Sequence, residues 1–343
     1  MLERDLIQQI AEKANRSHPG LKKGIGDDCA VFRQSPDREW LISTDMLVEG
    51  IHFDTRWHQP YLLGRKSIAV NISDIAAMGG RPEFALLSVG MSANLDNSWA
   101  ARFLDGVLAI LDEYHCVLIG GDTVSAEHLT ISVTVLGTAA QGHSILRDGA
   151  APGDSVYVSG HLGSSAAGLY LCKTTSSTGR DFKGVGWQQL VKAHLAPTPR
   201  VALAEMLMQS GMVTSMQDIS DGIATDLSHI CTASMVAAVI EEKSLPAHTE
   251  LVDLCTHFQL DQAEFQLKGG EDYELVFTVQ GGRQKEFEQF CRRYRDGSAV
   301  SGGAALPPVT RIGEVVAGRG VQMRSVSGKL VDIEYQGYEH SSE

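Results

Sequence analysis

Residues 129–135 constrain the fold most. Leu129, Ile131, Val133 and Val135 alternate with Thr130, Ser132 and Thr134, the period of a strand with one buried and one polar face. Such a strand needs partners in a sheet and an apolar layer over its inner face. The neighbouring sequence supplies both. Strand-like segments lie around residues 40–53, 83–90 and 116–120, with two helical stretches between them. One helix runs from about Tyr61 to Met78 and stops at Gly79-Gly80, just before Arg81-Pro82, a strong C-terminal signal. The other begins after Asp96 or Asn97 and gathers Trp99, Phe103, Leu104, Leu108 and Leu111 on one side. A short amphipathic helix is also expected over Leu2 to Lys13, from the spacing of Leu2, Leu6, Ile7 and Ile10.

In "LRDGAAPGDSVYVSG" the pattern breaks at Gly149, Pro152 and Gly153, and a new strand follows at Ser155 to Ser159. Helices are expected from Ser164 and over Pro199 to Gln209, with later strands in "YELVFTV" and "VTRIGEVV". The polar, glycine-rich piece at 173–186 has no apolar period and reads as a mobile surface loop. At 343 residues the chain exceeds the length at which one core stops growing, so two layered α+β or α/β domains are expected. With 43% apolar and 21% charged residues the composition is that of a soluble globular protein. No secretory signal and no apolar run of about 18 residues is visible. The six cysteines are scattered, without zinc spacing, and a reduced cytoplasm is the expected location.

A formal charge of −13 and the lack of any Lys/Arg run argue against nucleic acid as a partner. The same charge repels a nucleotide. If the chain handles anionic phosphates, divalent cations must stand between its carboxylates and the ligand. Six acidic motifs could hold them: "GIGDD" (24–28), "STD" (43–45), "NISD" (71–74), "GGD" (120–122), "DISDG" (218–222) and "GGEDYEL" (269–275). Each alone is common turn or cap chemistry. Together they recur where apolar segments finish: "LISTD" and "CVLIGGD" are expected to place Asp45 and Asp122 at strand ends, where α/β proteins put ligands. Asn71 and Asp74 share a face of a nearly uncharged helix, so Asp74 is expected in partly buried surroundings, wanting a partner. Hard oxygen donors suit Mg²⁺. No EF-hand loop, P-loop or kinase H-R-D/D-F-G set is present.

The ordered set GIGDDCA, STDMLVEGIHF, KSIAVNISDIAAMG, LIGGDT, LRDGAAPGD, HLAPTPR, ISDGIATDLSHI and GGEDYELVFT resembles the thiamine-monophosphate kinase family, within the aminoimidazole-ribonucleotide-synthetase-like (PurM-like) superfamily. The resemblance implies an α+β, two-domain PurM-like architecture. Residues 1–148 would form a mixed α/β domain that binds ATP and magnesium and dimerises through its sheet. Residues 149–343 would form an α/β sandwich completing the nucleotide and substrate cleft. It implies a homodimer that uses ATP and several Mg²⁺ ions to phosphorylate thiamine monophosphate directly, in line, giving thiamine diphosphate. Carried over motif by motif, Asp28, Ser43, Thr44, Asp45, Asp74, Asp122 and Asp218 resemble metal ligands, with Asp221 a further candidate. Tyr114, Gly121, Arg147 and Ser220 resemble nucleotide contacts, and His52, Glu271 and Tyr335 the substrate site. Asp45, Asp122 and Arg147 are the expected catalytic groups. Arg147 could equally be a surface arginine and His52 a half-buried hydrogen-bonded histidine. Tyr335 stands where the family is expected to carry Trp, keeping an aromatic ring for a cationic heterocycle.

Two sibling activities and one non-catalytic role compete with this expectation. A selenophosphate synthetase should carry a reactive Cys beside a Lys near its N-terminus, and a hydrogenase-maturation relative should end in Cys. This chain begins "MLERDLIQQI" and ends "EHSSE". A magnesium-buffering scaffold should cluster its carboxylates on the surface, not distribute them through apolar segments of two domains.

Overall fold

The alternating segment becomes β6 (Thr130–Ala140), the third interior strand of a six-stranded sheet. It lies between β3 (Arg38–Val48) and β4 (Arg81–Ser92) in the computed structural model, which describes residues 20–33, 35–178, 186–297 and 306–338. Beyond β3 come β2 (Ala30–Arg33) and β1 (Leu21–Lys23), and beyond β4 the edge strand β5 (Val117–Ala126). Only β4 and β5 run parallel. Ile131, Val133 and Val135 are fully buried, as the alternation requires. The helix expected at Leu2 to Lys13 lies outside the described residues.

Two expectations about this sheet are corrected. Asp45 is inside β3, not at a strand end, because β3 pairs with β6 without interruption from Arg38–Ala140 to Val48–Thr130. Asp122 is likewise in the middle of β5. The ladder runs through backbone amides, so Ser43-Thr44-Asp45 keeps its pairing whatever the polarity of its side chains.

The inner face of the sheet is covered by α1 (Pro60–Ala77) and α2 (Asn97–Glu113). Pro60 starts α1, where its fixed φ and missing N–H suit the first turn. Beyond its end Gly79 adopts φ +72°. α1 has almost no wet side: Ile68, Ile72 and Ile75 are wholly buried, and so are Lys66, Ser67, Asn71 and Ser73. The two helices cross backbone to backbone. A Cβ on Gly106 would stand 2.0 Å from the Tyr61 carbonyl oxygen, and one on Gly64 would stand 2.1 Å from that of Phe103. Gly106→Ala is therefore expected to destabilise the protein by about 2–3 kcal/mol, despite Ala's better helix propensity. A lower denaturation midpoint in urea checks this; an unchanged or higher midpoint refutes the tight crossing.

After the short 3₁₀ turn Arg147–Gly149, the second sheet has the order β13 (Leu330–Asp332), β12 (Gly320–Arg324), β9 (Ala237–Glu241), β11 (Val309–Val316), β7 (Ser155–Ser159), β10 (Leu275–Val279), β8 (Val213–Asp218). Its helices are α3 (Ser164–Thr178), α4 (Gln188–Leu195), α5 (Val201–Ser210), α6 (Ile223–Ser234), α7 (Thr249–Phe258), α8 (Gln262–Lys268) and α9 (Gln284–Gly297). The loop expected at 173–186 is corrected in its first part, since α3 continues through Thr178. Leu171 and Cys172 anchor the helix on its buried side and the polar residues beyond simply extend it. Residues 179–185 lie outside the described set.

One apolar cluster joins the two halves: Leu41, Ile72 and Val133 belong to the same packed group as Leu207, Met216 and Phe277. A second, with Val158, Ile223 and Val321, covers the other face of the second sheet. The outer face of the first sheet is bare. Met46, Val117, Ile119 and Val124 are each more than half exposed there. Among the described residues no helix is long and apolar enough to cross a membrane.

Candidate active site

Three carboxylates meet where the halves join. Asp28 comes from the turn before β2, Asp74 from α1 and Asp218 from the last position of β8. One oxygen of each lies within 4.8 Å of the other two. Hydroxyls on α1 and β3 fix them: Ser73 Oγ donates to Asp218 Oδ2 at 2.6 Å and Ser43 Oγ donates to Asp74. Asp45 joins from β3, where its backbone N–H donates to Asn71 Oδ1 at 3.0 Å. Burial, reinforced by the neighbouring carboxylates, pushes Asp28 up to about 7, Asp45 and Asp218 up to about 6, and Asp74 well above the usual range. The Arg147 guanidinium, bonded to Asp28, works in the opposite direction. Asp28 Oδ2 is buried with no hydrogen-bond partner. Buried like charges with an unmet acceptor call for a cation, and an all-oxygen donor set suits a hard divalent one.

Beside this cluster opens a cleft of about 340 Å³. His52, Phe53, Trp57, Lys173, His194 and Glu271 contribute to its walls. His52 accepts the Val48 N–H at Nδ1, 3.1 Å away, which turns its ring back over the end of β3. Glu271 is held from two sides: Lys66 Nζ lies 3.0 Å and His194 Nδ1 3.2 Å from the same Oε2. Its backbone is left-handed, φ +64°, and its N–H donates to the Ser220 carbonyl at 2.7 Å. A non-glycine residue in that region costs about 1–3 kcal/mol and persists only where its surroundings impose it. Burial opposes ionisation of Glu271, yet Lys66 and His194 hold its carboxyl well below the usual range.

The cluster and the cleft take up Asp28, Ser43, Asp45, Asp74, Asp218, His52 and Glu271, with Arg147 bonded to Asp28 and Ser220 to the Glu271 backbone. Asp221 lies in the loop after β8, where its N–H and that of Gly222 both donate to the buried Asp226 Oδ2. Five residues are placed elsewhere. The Thr44 side chain is on the opposite face of β3, bonded to Val133 O and Thr134 Oγ1 at 3.0 Å. Tyr114 caps α2 and donates its hydroxyl to the Pro199 carbonyl. Tyr335 bonds Thr232 at 2.9 Å with its ring 5.6 Å from that of His229, away from the cleft walls. Gly121 and Asp122 lie in the exposed edge strand. Gly121 packs so closely on β4 that a Cβ would meet the Leu87 carbonyl oxygen at 1.7 Å.

Sequence reasoning missed Lys66, His194 and Asp226. Lys66 did leave a signal, since it and Asp74 are the only charges between residues 66 and 78. A cation at the head of so apolar a run wants a buried anion. Asp226 sat inside a quoted motif but five residues from its first acidic group. His194 left none.

Two family models match in tandem: the AIR synthase related protein N-terminal domain over residues 26–139 and the AIR synthase related protein C-terminal domain over residues 151–325. The chain is thus a two-domain AIR-synthase-related protein, with its acidic cluster at the seam of the pair. It is 37% identical to the thiamine-monophosphate kinase of Bacillus subtilis over 317 residues, covering 92% of this chain and 91% of that one. With the Escherichia coli K12 thiamine-monophosphate kinase it shares 35% over 339 residues, 98% of each chain. A solved structure described as AaThiL complexed with AMPPCP and TMP superposes with a TM-score of 0.82 at 34% identity, covering 99% of this chain and 97% of that one. The chain belongs to the thiamine-monophosphate kinase family.

Proposed function

We propose that this protein transfers the γ-phosphoryl group of ATP directly to the phosphate of thiamine monophosphate, giving thiamine diphosphate and ADP. The observation that carries this is a single helix, α1, which bears Asp74 in the acidic cluster and Lys66 under the cleft. One element thus serves both a phosphate-handling centre and an organic-substrate pocket. Asp28, Asp45, Asp74 and Asp218 are the groups that would hold Mg²⁺, with Ser43 orienting Asp74 and Asp221 at the rim. Bound Mg²⁺ supplies neutralisation of the phosphate oxygens on both reactants, without which a chain of net charge −13 would repel them. The chain's own groups position and orient. The acceptor phosphate is already ionised at neutral pH, so no side chain need act as a base. Arg147 offers its planar donor fork on the nucleotide side. His52 and Glu271 face the acceptor.

The bare outer sheet favours a homodimer, since Met46, Val117, Ile119 and Val124 stand uncovered on it and exposed apolar groups gathered on one face mark an interaction surface. Asp122 gives the dimer a chemical role. Across the sheet Asp122 pairs with Ser88, Ser88 with Ser132, and Ser132 with Met46. Three strand spacings put β5 about 14 Å from β3, too far for Asp122 to serve the cluster of its own chain. It would reach phosphate only as the partner's Asp122.

Incubation with ATP, Mg²⁺ and thiamine monophosphate is expected to yield thiamine diphosphate and ADP. No product in excess Mg²⁺ removes the assignment. For the shared site, Asp45→Asn and Asp122→Asn chains are each expected to be inactive alone. Co-refolded in equal amounts they are expected to recover about a quarter of wild-type activity, because half the dimers then hold one intact site. No recovery on mixing returns Asp122 to its own chain or to no role.

A further inference from the structure

Lys66 is the most deeply buried cation in the described chain that the reaction does not obviously use. Its side chain has no exposure, and its one bonded partner among the side chains is Glu271, at 3.0 Å. Taking an ammonium out of water is expensive, and a buried pair of this kind seldom stabilises more than well-packed apolar residues of the same volume would. Its value has to be sought in what it does to Glu271.

The geometry of the carboxylate is specific. Oε2 is saturated by Lys66 and by His194 Nδ1, while Glu271 remains about a quarter exposed and lines the cleft. The side chain therefore enters the cleft from a left-handed backbone position, pulled to one side by α1 and α4, with Oε1 as the acceptor left for a ligand. Because an ionised carboxylate only accepts, the His194 proton sits on Nδ1. With Lys66 in place, His194 is kept neutral by burial and then by Lys66 itself, so the positive charge bonded to this group is that of Lys66.

We infer that Lys66 is the positioning residue of the acceptor-substrate subsite, fixing Glu271 so that Oε1 meets a hydrogen-bond donor of the cationic, amine-bearing substrate. The inference rests on the kinase assignment. It fits the spacing along α1: eight residues separate Lys66 from Asp74, about 12 Å at 1.5 Å per residue. That is comparable with the reach of a two-ring substrate from its far amine to its phosphate.

The test is a set of steady-state measurements on the full-length protein with thiamine monophosphate, ATP and Mg²⁺. Lys66→Met is expected to raise KM for thiamine monophosphate about 50-fold, with kcat within about threefold and KM for ATP unchanged. Glu271→Gln should raise the same KM. The Lys66→Met, Glu271→Gln double variant should show the KM of Glu271→Gln alone, since Lys66 then has nothing left to position. If Lys66→Met does not fold, the double variant, with no unpaired buried charge, decides the matter. A KM equal to that of Glu271→Gln supports the role, and a further rise overturns it. A Lys66→Met enzyme that loses kcat with KM intact also overturns it. A wild-type enzyme inactive on thiamine monophosphate overturns the kinase assignment itself, a result separate from any of these.

Discussion

Asp74→Asn is expected to lower turnover by about three orders of magnitude and, in the absence of divalent ions, to raise the melting temperature. Both effects follow from one fact. Asp74 sits among Asp28, Asp45 and Asp218 in buried surroundings, which penalise its charge, and its three neighbours penalise it further. Removing that charge relieves the folded state. Function would suffer because Asp74 is one of the carboxylates that would hold Mg²⁺, which would supply several kcal/mol of charge neutralisation in the transition state, and about 4 kcal/mol is a thousandfold. Asparagine keeps the shape and can still accept from Ser43, which donates to Asp74. Steady-state kinetics in saturating Mg²⁺ and thermal melts in a chelator measure the two effects. Normal turnover removes Asp74 from the site, and a lower melting temperature shows that its charge is already compensated by the protein alone.

The second large effect is in pH. Free of divalent ions, the protein is expected to lose stability as pH rises from about 4 to about 7. The sign follows from proton binding: Asp28 at about 7 and Asp45 and Asp218 at about 6 all lie above the 3.8 of an unperturbed aspartate. Across that window the buried carboxyls, Asp74, Asp226 and Asp272 among them, hold more protons in the folded state than in the unfolded one. They outnumber His58, His161 and His194, which hold fewer, so raising the pH favours unfolding. The stability is fully present below 3.8 and is lost as the pH passes the raised values. Added Mg²⁺ should act oppositely, raising the melting temperature strongly at pH 7.5 and little at pH 5, because its ligands must be deprotonated. A melting temperature that rises between pH 5 and 7.5 without divalent ions contradicts the burial of this cluster.

What the sequence made legible was local. The alternation at 129–135 needs only neighbouring residues to declare itself, and so do the Gly-Gly stop after α1 and the Gly-Pro break before β7; the strand at Ser155–Ser159 appears with the bounds expected for it. Membership of the family was legible because the acidic motifs come in a fixed order. Position within a strand was not. Asp45 and Asp122 looked terminal because polarity usually marks an end, whereas here a continuous ladder carries them through. Face was hidden as well: Ser43 and Asp45 turn toward α1 while Thr44, between them, turns away. The Lys66–Glu271 pair spans 205 positions and no local pattern encodes it.

The near-complete burial of α1 from Lys66 onward constrains what this scaffold can become. Its rise per residue is set by backbone hydrogen bonds, so the gap between the two groups it presents works as a fixed caliper. Pocket substitutions can change which heterocycle is gripped, but not how far that grip stands from the reacting phosphorus. A longer or shorter acceptor would demand a turn added to or deleted from a helix with almost no free surface beyond its first turns, rotating the contacts around it. Members of this lineage should therefore diversify in ring chemistry far more readily than in acceptor length.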